Sequence, residues 1–164
     1  MEKYKELTHD EIEHYKSLLE LPNMKYPYYN PLIVDSIEVH TYIGEKLLSS
    51  EEFRENDTYS LRVSNYGRIE IDGEVTKLFL DGTFQDIPKI YIPKLRYSIG
   101  TYRLVKETFC PIENMEDLEV HHITNNGFYV RPEDLIWVTK KDHFSIENNF
   151  RTIMSEISKK ILKK

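Results

Sequence analysis

Cysteine is nearly absent from this chain: Cys110 is the single one in 164 residues. One cysteine excludes an intrachain disulfide and a cysteine-based zinc site, and it fits a reducing, intracellular setting. Long apolar runs are missing too, since no stretch approaches the roughly 20 apolar residues of a membrane-spanning helix. Residues 1–6 lack the apolar segment of a secretory signal peptide. We therefore expect a cytoplasmic protein with no membrane partner.

Positive charge is scarce in the chain as a whole, whose net charge is −6. This balance argues against a generic nucleic-acid coat protein. The shortage is uneven, because residues 1–58 hold 6 Lys/Arg against 13 Asp/Glu, whereas residues 59–164 hold 16 against 15. From Lys140 onward the count is 7 against 3. The acidity is therefore concentrated in an N-terminal arm, and the C-terminal segment is basic enough to lie near phosphate.

The N-terminal arm begins with a helix signal. Thr8 and Glu11 have the spacing of a capping box, and apolar residues then recur at helical spacing, which predicts a helix over 9–20. Residues 22–31 hold three prolines and three tyrosines, which is typical of an extended linker. The β-branched residues of 33–43 favour a strand. These patterns indicate no chemistry, so a packing or partner-binding role is the favoured interpretation.

Short strands joined by turns are predicted over residues 59–92. The pairs Asp72-Gly73 and Asp81-Gly82 supply the positive φ that two-residue hairpin turns require. Residues 102–109 place their apolar side chains on one helical face, and Pro111 ends that helix. This region therefore predicts a small antiparallel meander followed by a helix.

Three histidines follow in a short span. His121 and His122 end an apolar run, a second apolar run covers 135–139, and His143 lies just after the expected start of a helix near Lys140. Because side chains alternate along a strand, His121 and His122 cannot both reach one atom without a bend at the strand end. The pattern predicts two strands and a helix that present imidazoles to one small site.

Three ordered blocks of the chain resemble the HNH homing endonucleases of phages and introns. Residues 63–69 (Val-Ser-Asn-Tyr-Gly-Arg-Ile) resemble the "VSN-GR-V" signature that precedes the HNH finger. Residues 102–109 resemble the "HRLVAEAF" helix that follows this signature, with Tyr102 where histidine is usual. Residues 120–143 are similar to the HNH, or His-Me finger, motif "VDHIDGNKxNNRxENLxWVT". The resemblance covers roughly residues 53–145.

The resemblance implies an α+β fold. Its parts are a small antiparallel β meander and a ββα-metal (His-Me) finger, with an N-terminal helical arm and a C-terminal helix. We expect the acidic arm to cover residues 1–52, the meander and its helix 53–112, and the finger with the C-terminal helix 113–164.

The resemblance also assigns roles to residues of the finger. His122 matches the general base, whose neutral imidazole, with a pKa near neutrality, takes a proton from the water that attacks phosphorus. His121 and His143 match the ligands of one Mg²⁺ or Mn²⁺ ion. Asp134 lies where the family usually has asparagine, and a carboxylate there would hold the other nitrogen of His122 and raise its pKa. The implied reaction is DNA hydrolysis to a 5′-phosphate and a 3′-hydroxyl, in a phage or mobile-element setting.

Several residues near this site have two interpretations. Four are expected to contact DNA or to be solvated polar groups, namely Arg131, Asn126, Lys140 and Lys141. Glu147 follows His143 by four residues on the same helical face, which makes it a candidate third ligand. An ordinary solvated glutamate is the favoured interpretation, because helical carboxylates are usually exposed. Trp137 is expected in the core.

Two functional alternatives stay open. The first is a catalytically lapsed HNH-fold protein that binds nucleic acid or a protein partner. It is motivated by Asp134, and by Tyr129 and Val130 where the family has paired asparagines. The second is a structural protein that uses the histidines for a folding metal. Only about twenty residues follow His143, so we expect no dedicated sequence-reading module unless the acidic N-terminal arm or the 59–92 meander serves as one.

Overall fold

The structure is a computed structural model that describes residues 1–19, 51–76, 78–80, 87–123, 127 and 130–162. The linker expected over 22–31, the strand-like stretch 33–43 and the Asp81-Gly82 turn lie outside the described residues.

The first helix, α1, spans His9–Ser17 and begins as its capping box predicts. The Thr8 hydroxyl accepts a hydrogen bond from the Glu11 N–H at 3.2 Å, and the Thr8 N–H donates to the Glu11 carboxylate at 3.1 Å. Two N–H groups that have no partner within the helix are satisfied in this way. The helix ends at Ser17, three residues before the predicted end at residue 20.

A four-stranded antiparallel sheet follows, with its strands in sequence order. They are β1 (Phe53–Asn56), β2 (Leu61–Ser64), β3 (Ile69–Ile71) and β4 (Glu74–Thr76). The predicted hairpin at Asp72-Gly73 is confirmed, because both residues have positive φ, 51° and 82°. Strand β1 was not predicted. It lies at the sheet edge with two exposed charged residues, so it lacks the apolar alternation of a buried strand.

A three-stranded antiparallel sheet comes next. Its strands are β5 (Phe79–Leu80), β6 (Pro88–Ile92) and β7 (Tyr97–Gly100), again in sequence order. Ile90 and Ile92 of β6 are buried, which anchors this sheet on the core. The strands of the single predicted meander belong to two sheets in the structure, and strand β7 lies beyond the predicted end at residue 92. The sequence signal missed it because Tyr97 is half exposed and the strand ends in glycine.

The second helix, α2, spans Thr101–Phe109 and lies between the sheets and the rest of the chain. Leu104 and Val105 are completely buried. The Arg103 guanidinium donates to the carbonyls of Leu118 (2.5 Å) and Met115 (2.6 Å), so α2 also holds the segment that leads to the histidines. The helix predicted over 102–109 is confirmed.

The last part is a ββα unit. Strands β8 (Glu119–His122) and β9 (Leu135–Val138) are antiparallel and place His122 opposite Leu135. Helix α3 (Lys140–Leu162) follows and packs on both strands and on α1. The fold is therefore α+β, with small antiparallel sheets, a ββα finger, an N-terminal helix and a C-terminal helix, as expected.

The four-stranded sheet, the three-stranded sheet and the ββα unit share one hydrophobic core. Trp137 of β9 is 8% exposed, its ring lies under the Arg103 guanidinium, and its Nε1–H donates to the Cys110 carbonyl at 2.8 Å. The expectation that Trp137 belongs to the core is confirmed. Arg68 of the "VSN-GR" block is buried too, and its Nε lies 2.9 Å from the Glu51 carboxylate.

In the part of the chain that the structure describes, we find no helix with the length and apolarity that crossing a bilayer needs.

Candidate functional site

Strand β8 directs its two histidines to opposite faces, as alternation requires. His121 faces α3 and is fully buried, with its ring centroid 5.3 Å from that of His143. His122 faces α2, where its ring centroid lies 4.6 Å from that of Tyr102. The two imidazoles therefore enter different environments although they are adjacent in sequence.

The first two turns of α3 carry the partners of His121. Thr139 caps this helix, since its hydroxyl accepts from the Asp142 N–H (3.0 Å) and its carbonyl from the His143 N–H (2.9 Å). His143 and Glu147 then lie four residues apart on the face toward β8. Glu147 Oε1 is 3.1 Å from His121 Nδ1 and 2.9 Å from His143 Nε2. One carboxylate oxygen thus bridges both imidazoles.

Glu147 is only 7% exposed, so the expectation of a solvated glutamate is wrong. The four-residue spacing from His143 correctly predicts that both side chains share a helix face. The spacing does not predict which element packs on that face, and in the structure that element is strand β8. Burial of a carboxylate is costly unless hydrogen bonds or charges compensate it, and the two histidines provide that compensation.

Glu119 is a further member of the site that sequence reasoning missed. Its Oε1 lies 2.8 Å from His143 Nδ1, while its own side chain is 40% exposed. A sequence signal was available, because Glu119 precedes His121 by two residues and both must point to one face of β8. His143 is therefore held at both ring nitrogens, with Glu119 at Nδ1 and Glu147 at Nε2.

Burial and charge act in opposite directions on this cluster. Burial favours a higher pKa for the Glu147 carboxyl, but hydrogen bonds to His121 and His143 outweigh it, so the pKa lies well below its ordinary value. Burial favours a lower pKa for His143, but Glu147 and then Glu119 outweigh it, so that pKa is raised. Glu147 is therefore ionised, which is the form that binds cations.

The cluster fits a divalent metal ion. His121, His143 and Glu147 each offer one ligand atom, and these atoms all lie within 4.8 Å of one another. Two imidazole nitrogens and one carboxylate oxygen are a donor set that first-row divalent ions accept. The structure thus places the two predicted ligands, His121 and His143, side by side and adds Glu147 to them. Ligation itself stays a prediction.

His122 lies outside this cluster and is 5% exposed. Its Nε2 has no hydrogen-bond partner among the described residues. Burial lowers the pKa of His122 to about 3; the charges of His121 and His143 act in the same direction, and Glu147 opposes them. The expectation of a pKa near neutrality, raised by Asp134, is therefore wrong. An enclosed imidazole stays neutral because burial disfavours its charged form.

Asp134 does not act on His122 in the way that the resemblance implies. It ends a short 3₁₀ turn, Pro132–Asp134, between the finger strands. The turn directs its carboxylate to the Arg131 N–H at 3.3 Å, and its carbonyl accepts from the Ile123 N–H at 2.9 Å. Within the described residues, the Asp134 carboxylate makes no hydrogen bond to His122. The structure therefore lends no support to a base-orienting role.

The turn of the "VSN-GR" block contacts the loop between the finger strands. Gly67 has a φ of +88°, and a Cβ there would lie 2.5 Å from Val130 Cγ2. Val130 is 3% exposed, and beside it the Arg131 guanidinium lies 4.6 Å from the ring centroid of Tyr66. An apolar contact and a stacked arginine therefore hold residues 130 and 131 against the turn at residues 64–67.

The predicted DNA contacts are placed as follows. Lys140 and Lys141 are exposed at the start of α3, and Arg131 is stacked on Tyr66. Asn126, like Tyr129, lies outside the described residues. Contact with DNA stays a prediction for all four.

Comparisons with known proteins give one likeness in structure. No family model matches the chain, and no curated protein sequence matches it. A solved structure described as "DNA binding and cleavage by the HNH homing endonuclease I-HmuI" is similar with a TM-score of 0.43 and 23% sequence identity. The similarity covers 68% of this chain and 66% of that chain, so it spans just under two thirds of the solved protein.

Proposed function

We propose that the chain is a metal-dependent endonuclease of the HNH type that hydrolyses DNA phosphodiester bonds. The observation that carries this proposal is the separation of two adjacent histidines. His121 lies in a His–His–Glu cluster that fits an ion, and His122 lies outside it as a neutral imidazole. Hydrolysis that combines a metal ion with a general base uses an ion site and a base that does not bind the ion. The three sequence blocks that resemble HNH endonucleases support the same function.

His121, His143 and Glu147 would hold one divalent ion. When bound, the ion would supply positive charge that offsets the negative charge developing on the phosphodiester during hydrolysis. The mixed nitrogen and oxygen donor set favours a transition ion such as Mn²⁺ over Mg²⁺, because Mg²⁺ prefers oxygen ligands. Both ions therefore belong in the assay.

His122 is the proposed base. Its neutral Nε2 accepts a proton from water as the water oxygen attacks phosphorus, and the bond from phosphorus to the 3′ oxygen breaks. The leaving 3′ oxygen takes a proton from solvent, which gives a 3′-hydroxyl opposite a 5′-phosphate. The low pKa of His122 keeps the free ring neutral and also makes it a weak base. The negative charge of a bound phosphodiester then favours the protonated ring.

Nicking of supercoiled plasmid DNA tests the proposal. We expect nicked product in Mn²⁺ or Mg²⁺ and none in EDTA, and we expect DNA ligase to reseal the nicks because the ends are a 5′-phosphate and a 3′-hydroxyl. Absence of nicking with Mg²⁺, Mn²⁺, Co²⁺ and Zn²⁺ would contradict it. If the protein still shifted DNA in a gel under those conditions, the catalytically lapsed alternative would replace the proposal.

A second candidate, a structural metal site, is favoured by one observation. The cluster is deeply enclosed, since His121 is 0% and Glu147 7% exposed. Structural sites are closed, whereas catalytic sites keep an open ligand position. For a structural ion, chelation should lower the unfolding temperature sharply and plasmid nicking should be absent with every metal. For a catalytic ion, nicking should stop on chelation while most of the thermal stability remains.

A further inference from the structure

The N-terminal segment, residues 1–7, is bound to the body of the protein at two places. At the first, Glu2 forms a parallel bridge with Ile112, and the Glu113 N–H donates to the Glu2 carbonyl at 2.8 Å. This contact fixes the segment beside the chain that leaves α2. The segment then continues toward α3. It therefore contacts two parts of the protein, at Ile112 and at α3, that are both far from it in sequence.

The second place is Asp142. The Tyr4 hydroxyl donates to Asp142 Oδ2 at 2.9 Å, and the Leu7 N–H donates to the same oxygen at 3.4 Å. The Tyr4 hydroxyl also interacts with Thr139. Asp142 is 6% exposed, and a carboxylate buried to this extent is costly unless donors surround it. Two donors of the N-terminal segment meet that need.

The position of Asp142 gives these contacts a consequence for the site. Asp142 is the third residue of α3 and directly precedes His143, while Thr139 is the residue that caps the helix. In a capping box the acid at this third position would turn back to the N–H of its cap residue. Here the carboxylate is used instead by Tyr4 and Leu7. The segment therefore fixes the start of the helix from which His143 and Glu147 project.

We propose that Tyr4 is a positioning residue for the His121–His143–Glu147 cluster, acting through Asp142. The inference rests on the proposed function in one respect, because it takes the cluster as an ion site. Metal sites require their ligands within about 0.5 Å of the productive geometry, and side chains outside the ligand set commonly provide that accuracy. On this proposal residues 1–7 belong to the site, although they are distant from it in sequence.

Tyr4→Phe, with Tyr59→Phe as its matched control, tests the proposal. Both tyrosines are partly buried, and burial, followed by a neighbouring carboxylate, raises the pKa of each to about 12. Tyr59 interacts with Glu107 and Tyr97 instead of α3. The measurements are the Co²⁺ affinity by titration calorimetry, the visible absorption of bound Co²⁺, and the unfolding temperature of the metal-free protein.

We expect Tyr4→Phe to weaken Co²⁺ binding about tenfold and to shift its absorption bands, because the ligands change their geometry. Tyr59→Phe should lower the unfolding temperature and leave both Co²⁺ readouts as in the wild type. Asp142→Ala and Asp142→Asn provide a second pair. The amide oxygen still accepts from the Tyr4 hydroxyl, so Asn should retain more Co²⁺ affinity than Ala.

Two results overturn the inference and can be told apart. If Tyr4→Phe has the Co²⁺ affinity and the Co²⁺ spectrum of the wild type, Tyr4 does not position the cluster, and the proposed ion site is unaffected. If the wild-type protein binds neither Co²⁺ nor Mn²⁺, the ion site, the proposed function and this inference are all contradicted.

Discussion

His121 and His122 share a strand and a residue type, yet their surroundings have almost nothing in common. On the His121 side, α3 supplies Glu147 within hydrogen-bond distance and His143 beside it. On the His122 side, α2 supplies the ring of Tyr102, and Nε2 has no partner among the described residues. The chemistry of an imidazole therefore depends on the element that packs over it. A sequence motif gives only the position of the histidine along the chain.

The change with the largest expected effect is His122→Ala. It should reduce plasmid nicking by about 10²–10⁴-fold, the usual contribution of a general base. Affinity for Mn²⁺ should stay at the wild-type value, because His122 is outside the cluster. Single-turnover nicking and titration calorimetry measure the two quantities. Undiminished nicking would remove His122 from the mechanism, and a parallel loss of Mn²⁺ affinity would erase the distinction between the two histidines.

Glu147→Gln tests the His121 side of the comparison. The substitution keeps the shape of the side chain and removes the charge that bridges His121 and His143, so Mn²⁺ affinity should fall by more than the roughly 10–100-fold typical of residues outside the ligand set. Glu156→Gln is the matched control, an exposed glutamate on the same helix. Equal affinities for the two variants would show that Glu147 is not a ligand.

Glu119→Gln should have a smaller effect. Glu119 contacts Nδ1 of His143, on the side of the ring away from Glu147, and an amide oxygen can still accept that hydrogen bond. We expect Mn²⁺ affinity to fall about tenfold, as for other residues that orient a ligand. The exposed Glu116→Gln serves as control. A loss as large as that of Glu147→Gln would instead make Glu119 a ligand.

Gly67→Ala addresses the contact between Gly67 and Val130, and Gly73→Ala is its control. Both glycines have positive φ, so both substitutions should lower the free energy of unfolding by about 1–2 kcal/mol. Gly67→Ala should cost about 1 kcal/mol more, because its Cβ overlaps Val130, whereas nothing lies within 4 Å of a Cβ at Gly73. Urea unfolding measures both. The extra cost should disappear in a Val130→Ala background; equal costs from the start would show that the contact is soft.

Local signals in the sequence predicted a large part of the fold. The capping box of Thr8 and Glu11, the hairpin at Asp72-Gly73 and the ββα order of the finger depend on a few neighbouring residues each, and all three are confirmed. Strands β1 and β7 were missed because they are short and partly exposed, so burial left little pattern in their sequences.

The site was predicted less completely, for a physical reason. Spacing indicates which residues share a face, and it correctly grouped His143 with Glu147. Whether that face is solvated depends on packing between α3 and β8, which no local pattern records. For Asp134, the sequence predicted a contact that the described part of the structure does not contain. Its position in the motif suggested contact with His122, but the 3₁₀ turn that carries it directs the carboxylate to the Arg131 N–H.

The contact between Tyr4 and Asp142 also bears on how the protein is made. These residues are separated by 138 positions. At a synthesis rate of about 5–20 residues per second, Tyr4 leaves the ribosome roughly 7–28 seconds before its partner. The residues of the two sheets are therefore synthesised before the first turn of α3 can acquire its N-terminal support. The histidine cluster can acquire this support only after Asp142 has left the ribosome, and contacts of such long range form slowly.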